Sequence, residues 1–187
     1  DDLSPQVGQE SGAEWPGNLP DYLAFLIISQ GKSGGDTLMA SAYALHNWFL
    51  ENDPASLKIL YEDFLWDRRG KLGPNGEETF QAPIFSYNPS TGRLIIRYLR
   101  QYIDDGHRKS GTALSEGQVR ALSQMDSLLS EDSSLVLKGR IPPGHLNISN
   151  NPETIHGRND FEDYMKDGKP DPERCRLGIR TWVFRKD

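Results

Sequence analysis

The sequence predicts a mainly β protein with flanking helices, a barrel or jelly roll that carries its helices on one side. Three observations lead there. Short apolar runs rich in branched and aromatic residues recur along the chain, each closed by Gly, Pro, Asn or Asp. Two stretches instead place apolar residues three and four apart, as a helix requires. No internal repeat and no linker interrupts the 187 residues, a length suited to one domain with a substantial core.

Taken in order, residues 1–20 are rich in Gly, Pro, Ser and acids and read as an irregular entry segment. Residues 22–28 form an apolar run read as a buried strand. A turn over Gly31 to Gly35 follows, and Asp36-Thr37 lead into a helix striped by Leu38, Ala42, Leu45, Trp48, Phe49 and Leu50. Asp53-Pro54 has the form of an N-cap with Pro at the first helical position, opening a short helix through Leu57, Leu60 and Tyr61. Strands are then expected at 64–66, 83–87 and 94–98, with turn residues between them. The segments 67–82 and 104–115 read as long loops, and His107 among the charges of the second as solvated. A further helix runs from about Ser115 through Val119, Leu122, Met125 and Leu129. Strands at 135–137, 146–148 and 177–184 complete the chain.

Composition narrows the function classes. A hydrophobic fraction of 36% with 10% aromatic residues describes an ordinary globular protein. The net charge of −6, with no basic stripe, argues against nucleic acid and anionic membrane as partners. One cysteine, Cys175, leaves no intrachain disulfide and no multi-thiolate zinc site, and fits a reducing cytoplasm. The absence of a His-Glu-x-x-His pattern speaks against a zinc hydrolase. Asp1-Asp2-Leu3-Ser4-Pro5 resembles neither a signal peptide nor a translational start, so a single domain lacking N-terminal or loop residues of a fuller protein is expected.

Three motifs fall in a definite order: Gly34-Gly35-Asp36-Thr37; Asn150-Asn151 followed by Ile155-His156-Gly157-Arg158 and Phe161-Glu162-Asp163-Tyr164; and Arg176-Leu177-Gly178-Ile179-Arg180. Together they resemble the C-terminal two-thirds of the iron(II)/2-oxoglutarate-dependent oxygenases of the taurine-dioxygenase/clavaminate-synthase-like family. The resemblance implies a double-stranded β-helix, a distorted jelly roll. It also implies iron held by two His and one carboxylate, with 2-oxoglutarate and molecular oxygen as co-substrates. His156 matches the distal iron ligand, Arg176 the arginine that pairs with the far carboxylate of 2-oxoglutarate, and Thr37 the hydroxyl bonded to it. Arg180, four residues on and so on the same strand face as Arg176, matches a contact to an anionic group of the substrate or a support for the cofactor. Without the motifs, His156 reads as a structural turn His and the two Arg as surface partners of Asp171 or Glu173. Arg158 and Asp163 read as supports of the His156 loop. His46 and His145 read as packing and turn residues.

One part of the pattern is missing. The other two ligands should form His-x-Asp or His-x-Glu on the strand before Leu23, but no His occurs in residues 1–45. Gln6 and Gly8 stand at the matching positions, or Glu10-Ser11-Gly12 by a different count. Three explanations compete: further residues exist in the protein, the triad is lost, or iron is held unconventionally by His156 with Glu10 or Glu14. The expected function is therefore an oxygenase that hydroxylates or otherwise oxidises a small, anionic or amino-acid-like substrate, releasing succinate and CO2. The alternative is an inactive oxygenase-fold protein that binds a carboxylate metabolite or a protein partner.

Overall fold

The computed structural model describes residues 19–185. Its strands are β1 (Tyr22–Ser29), β2 (Ser33–Gly34), β3 (Thr37–Ser41), β4 (Phe64–Asp67), β5 (Thr79–Ala82), β6 (Phe85–Tyr87) and β7 (Leu94–Ile96). After these come β8 (Val136–Gly139), β9 (Leu146–Asn150), β10 (Thr154–Arg158), β11 (Phe161–Glu162), β12 (Met165–Lys166), β13 (Lys169–Pro170) and β14 (Leu177–Val183). Four helices intervene: α1 (Ala42–Asn52), α2 (Pro54–Leu60), α3 (Arg100–Ser110) and α4 (Glu116–Leu128). Among the described residues no helix is long and apolar enough to cross a membrane.

Two three-stranded antiparallel sheets make the jelly roll, one ordered β14-β1-β9 and the other β10-β3-β8. In the first, Phe25 pairs with both Arg180 and Asn147, so their side chains share the face that Leu23 and Ile27 also occupy. In the second, His156 pairs with Met39 and Arg158 with Thr37, again on one face. The two faces meet: the Phe25 and His156 rings lie 6.3 Å apart, and the Asn147 amide approaches the Met39 sulfur at 3.9 Å. This alternation is what aims the candidate site residues into the space between the sheets.

The opposite face of the second sheet is the hydrophobic anchor. Ala40 belongs to a buried cluster with Leu45, Phe49, Leu122 and Met125, and Val136 and Ile155 pack against it. Burial of each large side chain, such as Phe49 or Leu60, stabilises the fold by about 1.5–3 kcal/mol relative to exposure. The helices therefore hold the sheet from behind while its other face stays free for chemistry.

Helix starts follow local chemistry. Asp53 accepts from the Ser56 amide at 3.0 Å and from its hydroxyl at 2.6 Å, with Pro54 at the first turn. Ser115 and Gln118 form a reciprocal capping box on α4. Three expectations are corrected. Thr37-Leu38 are strand, not helix: they pair with Gly139 and Lys138, and the helix begins only where Ser41 caps α1. Part of the 67–82 loop is the strand β5, paired with β4. The 104–115 loop is largely α3, and His107 is buried rather than solvated. His107 Nε2 accepts from the Leu65 amide at 3.2 Å while Nδ1 faces the Thr112 carbonyl at 2.9 Å, locking the helix end to β4.

Candidate active site

The site begins with the Gly34-Gly35 pair between β2 and β3. Gly34 has φ +65, and a Cβ there would stand 2.0 Å from the Asp160 carbonyl oxygen. Gly35 has φ +77, and its Cβ would fall 3.0 Å from Arg176 Nε. Only glycine supplies both the left-handed backbone and the clearance. The Gly35 amide donates to the Asp160 carbonyl at 3.0 Å, and the Asp36 amide to Asn159 Oδ1 at 2.7 Å, so the turn after β10 is tied to this loop.

Arg176 sits just before β14, fixed through its backbone. Its amide donates to Asp163 Oδ1 at 2.7 Å, and one residue earlier the Ser29 hydroxyl donates to the Cys175 carbonyl at 2.5 Å. The guanidinium lies over the Phe161 ring at 5.7 Å. Its Nε is buried and has no hydrogen-bond partner among the described residues. Burial, and after it the Arg158 charge, pulls this guanidinium below its ordinary pKa; Asp163 opposes and Arg140 adds to the effect. Because an arginine stays charged in proteins, such a position is short of negative charge.

Arg158, opposite Thr37 on the paired strands, places its guanidinium 4.1 Å from the centre of the same Phe161 ring. Two residues back on the same face stands His156. Burial first, and then the positive charge of Arg180, depress its pKa, with a hydrogen bond to the Thr154 carbonyl opposing. By solvent accessibility the residue is exposed, so it stands at the surface of the sheet rather than in the core. A neutral imidazole at this position has the form a metal ligand needs. Arg180 lies on β14 with its guanidinium 5.6 Å from the Trp182 ring, and among the described residues no ion pair joins Arg176 or Arg180 to Asp171 or Glu173.

Pairwise neighbours thus link the candidates: Arg158 stands opposite Thr37 and near Arg176, and Arg180 near His156, which shares the Arg158 strand face. Gln6, Glu10 and Glu14 lie outside the described residues. Within those residues no three His, Cys, Asp or Glu side chains gather to hold a metal, so the described part of the chain does not by itself form the ligand set that the resemblance implies around His156. The donor chemistry suits a carboxylate: Arg176 keeps a buried guanidinium nitrogen without a partner among the described residues, next to the loop that leads into the Thr37 strand. Sequence reasoning passed over Phe161 as an aromatic platform and over Arg140, because neither residue type signals such a role without the fold. His46 packs edge-on against Tyr61 and Phe85, and His145 Nδ1 faces the Pro143 carbonyl at 3.3 Å, both away from the mouth.

Comparison with known proteins adds independent support. The sequence model of the taurine catabolism dioxygenase TauD, TfdA family matches residues 14–182. FR-33289 synthase of Streptomyces rubellomurinus (strain ATCC 31215) is 31% identical over 170 residues, covering 90% of this chain and 48% of that protein. An asparagine oxygenase solved with Fe(II), 2S,3S-3-hydroxyasparagine and succinate superposes with a TM-score of 0.60 at 20% identity, over 88% of this chain and 46% of that one. AAD-2 in complex with Mn(II) and N-oxalylglycine gives a TM-score of 0.61 at 14% identity, over 91% and 66% of the respective chains. The chain spans about half the length of the curated relative.

Proposed function

The chain belongs to the taurine catabolism dioxygenase TauD, TfdA family, and from that premise we propose that it acts as an iron(II)- and 2-oxoglutarate-dependent oxygenase on a small, anionic or amino-acid-like substrate. The observation that carries the reading is Arg176, whose buried Nε lacks a partner beside Gly35 and Phe161. That arrangement suits the far carboxylate of 2-oxoglutarate, with the Thr37 hydroxyl as a second donor. When bound, iron and 2-oxoglutarate supply the oxidising power, with succinate and CO2 as by-products and one oxygen atom passing to substrate.

The chain's own residues do the positioning. His156 presents a ring nitrogen kept neutral by burial and by Arg180, as a metal ligand must be. Arg180 offers its guanidinium to an anionic group of substrate, with Trp182 as an apolar wall beside it. Phe25 and Met39 flank His156, Phe25 with its ring 6.3 Å from the imidazole and Met39 as its cross-strand partner. An amino-acid substrate, as in the asparagine oxygenase that shares the fold, would place its carboxylate against Arg180.

Calorimetric titration with 2-oxoglutarate tests the reading. Arg176→Ala removes a charge-assisted contact and should weaken binding by about 1.5–3 kcal/mol, roughly 10- to 150-fold. Unchanged affinity would remove Arg176, and with it the supporting observation.

A further inference from the structure

We infer that Arg158 is a second guanidinium for the far carboxylate of 2-oxoglutarate, a positioning and specificity residue that works together with Arg176. The inference rests on the reading of the Arg176 site given above. Three observations carry it. Arg158 is the cross-strand partner of Thr37, so both side chains leave the sheet on one face, and directly opposed residues in antiparallel strands are near neighbours. Arg158 and Arg176 share one aromatic platform, at 4.1 and 5.7 Å from the Phe161 ring centre. Arg158 spends one of its donors on the Asn159 carbonyl at 3.2 Å, which leaves most of its fork available.

The electrostatic balance points the same way. Two guanidinium groups lie against the Phe161 ring, and the charge of Arg158 is felt at Arg176, as is that of Arg140, whose fork donates to the Gly31 carbonyl at 3.1 Å. Asp163 is the carboxylate that offsets Arg176, and it already accepts the Arg176 backbone amide. Neighbouring like charges repel, and an anion bound by both relieves that repulsion. A carboxylate has about four lone-pair sites, enough to accept from Arg176, Arg158 and Thr37 together. Ligands that lack the far carboxylate gain nothing from this arrangement, so the pair selects dicarboxylates over monocarboxylates.

The test is calorimetric titration of the wild-type protein and of Arg158→Gln, Arg158→Lys and Arg176→Gln with 2-oxoglutarate and with 2-oxobutanoate, which has no far carboxylate. Arg158→Gln should weaken 2-oxoglutarate roughly tenfold or more. It should leave 2-oxobutanoate binding unchanged, and Arg158→Lys, which keeps the charge, should recover part of the loss. Should the glutamine variant fail to fold, the lysine variant still decides: its selectivity for the dicarboxylate falls below wild type, and wild-type selectivity would overturn the inference. Arg158→Gln with unaltered 2-oxoglutarate affinity, alongside a weakened Arg176→Gln, would refute the role of Arg158 alone. Equal weakening of both ligands would reduce Arg158 to a structural residue. If neither variant changes 2-oxoglutarate affinity, the Arg176 reading falls as well.

Discussion

Replacing Gly35 by Ala would put a methyl carbon 3.0 Å from Arg176 Nε at a φ of +77, so the change strikes both the backbone and the anion site. The left-handed conformation alone costs roughly 1–2 kcal/mol for an L side chain. Gly35→Ala is expected to lower the thermal midpoint and, through displacement of Arg176, to weaken 2-oxoglutarate beyond what the loss of stability explains; titration of the folded variant checks the second part. At this scale the sequence was informative where a motif carried the residue. Thr37, His156, Arg176 and Arg180 were legible as site candidates, and the structure puts Thr37 and His156 on one face of their sheet and Arg180 on the Phe25 face of the other. Arg158 was read only as a support, because an arginine after a His-Gly pair has no chemistry until its cross-strand neighbour is known. Gln6 and Glu10 lie outside the described residues.

Among the elements, α3 shows why part of the fold was not legible. Its charged run and the Asp-Asp-Gly sequence suggest a turn, yet Gly106 lets the helix lie against β4, where a Cβ would stand 2.5 Å from the Leu65 carbonyl oxygen. In an exposed helix Gly→Ala stabilises by about 1 kcal/mol. Here the obstructing atoms are backbone, so Gly106→Ala should destabilise by about 1–3 kcal/mol in urea unfolding. The sign of the change distinguishes a packed helix from a solvated loop. Strand β3 was hidden for a different reason: its apolar residues run without a break into the stripe of α1, and only the Ser41 cap marks the boundary. By contrast the Asp53-Pro54 start, the Ser115 capping box and the last strand needed nothing beyond local chemistry.

For the molecule as a whole, acid stability is tied to the contact between β4 and α3. Asp67 is buried and 2.8 Å from Lys109 Nζ. Burial alone would raise its pKa, but the hydrogen bonds from Lys109 and the Arg69 amide outweigh burial and hold it below the ordinary value. The unfolded chain therefore takes up the proton first as pH falls. Stability from this group is complete above about pH 4 and is lost as pH drops through the lowered folded value. Asp67→Asn should cost about 2–4 kcal/mol at neutral pH, Lys109 being left without its partner, and should flatten the acid limb of the stability curve. Fold class was legible at this scale because short strands, turn residues and two striped helices agreed with one another. The facing of the two sheets was not, since it depends on register between strands distant in sequence. The most direct test of the proposed activity is succinate formation from 2-oxoglutarate with iron(II) and a panel of amino acids and small anions. Iron-dependent succinate release that His156→Ala abolishes is the predicted result. Retained 2-oxoglutarate binding with no succinate from any candidate, or turnover indifferent to His156→Ala, would contradict it.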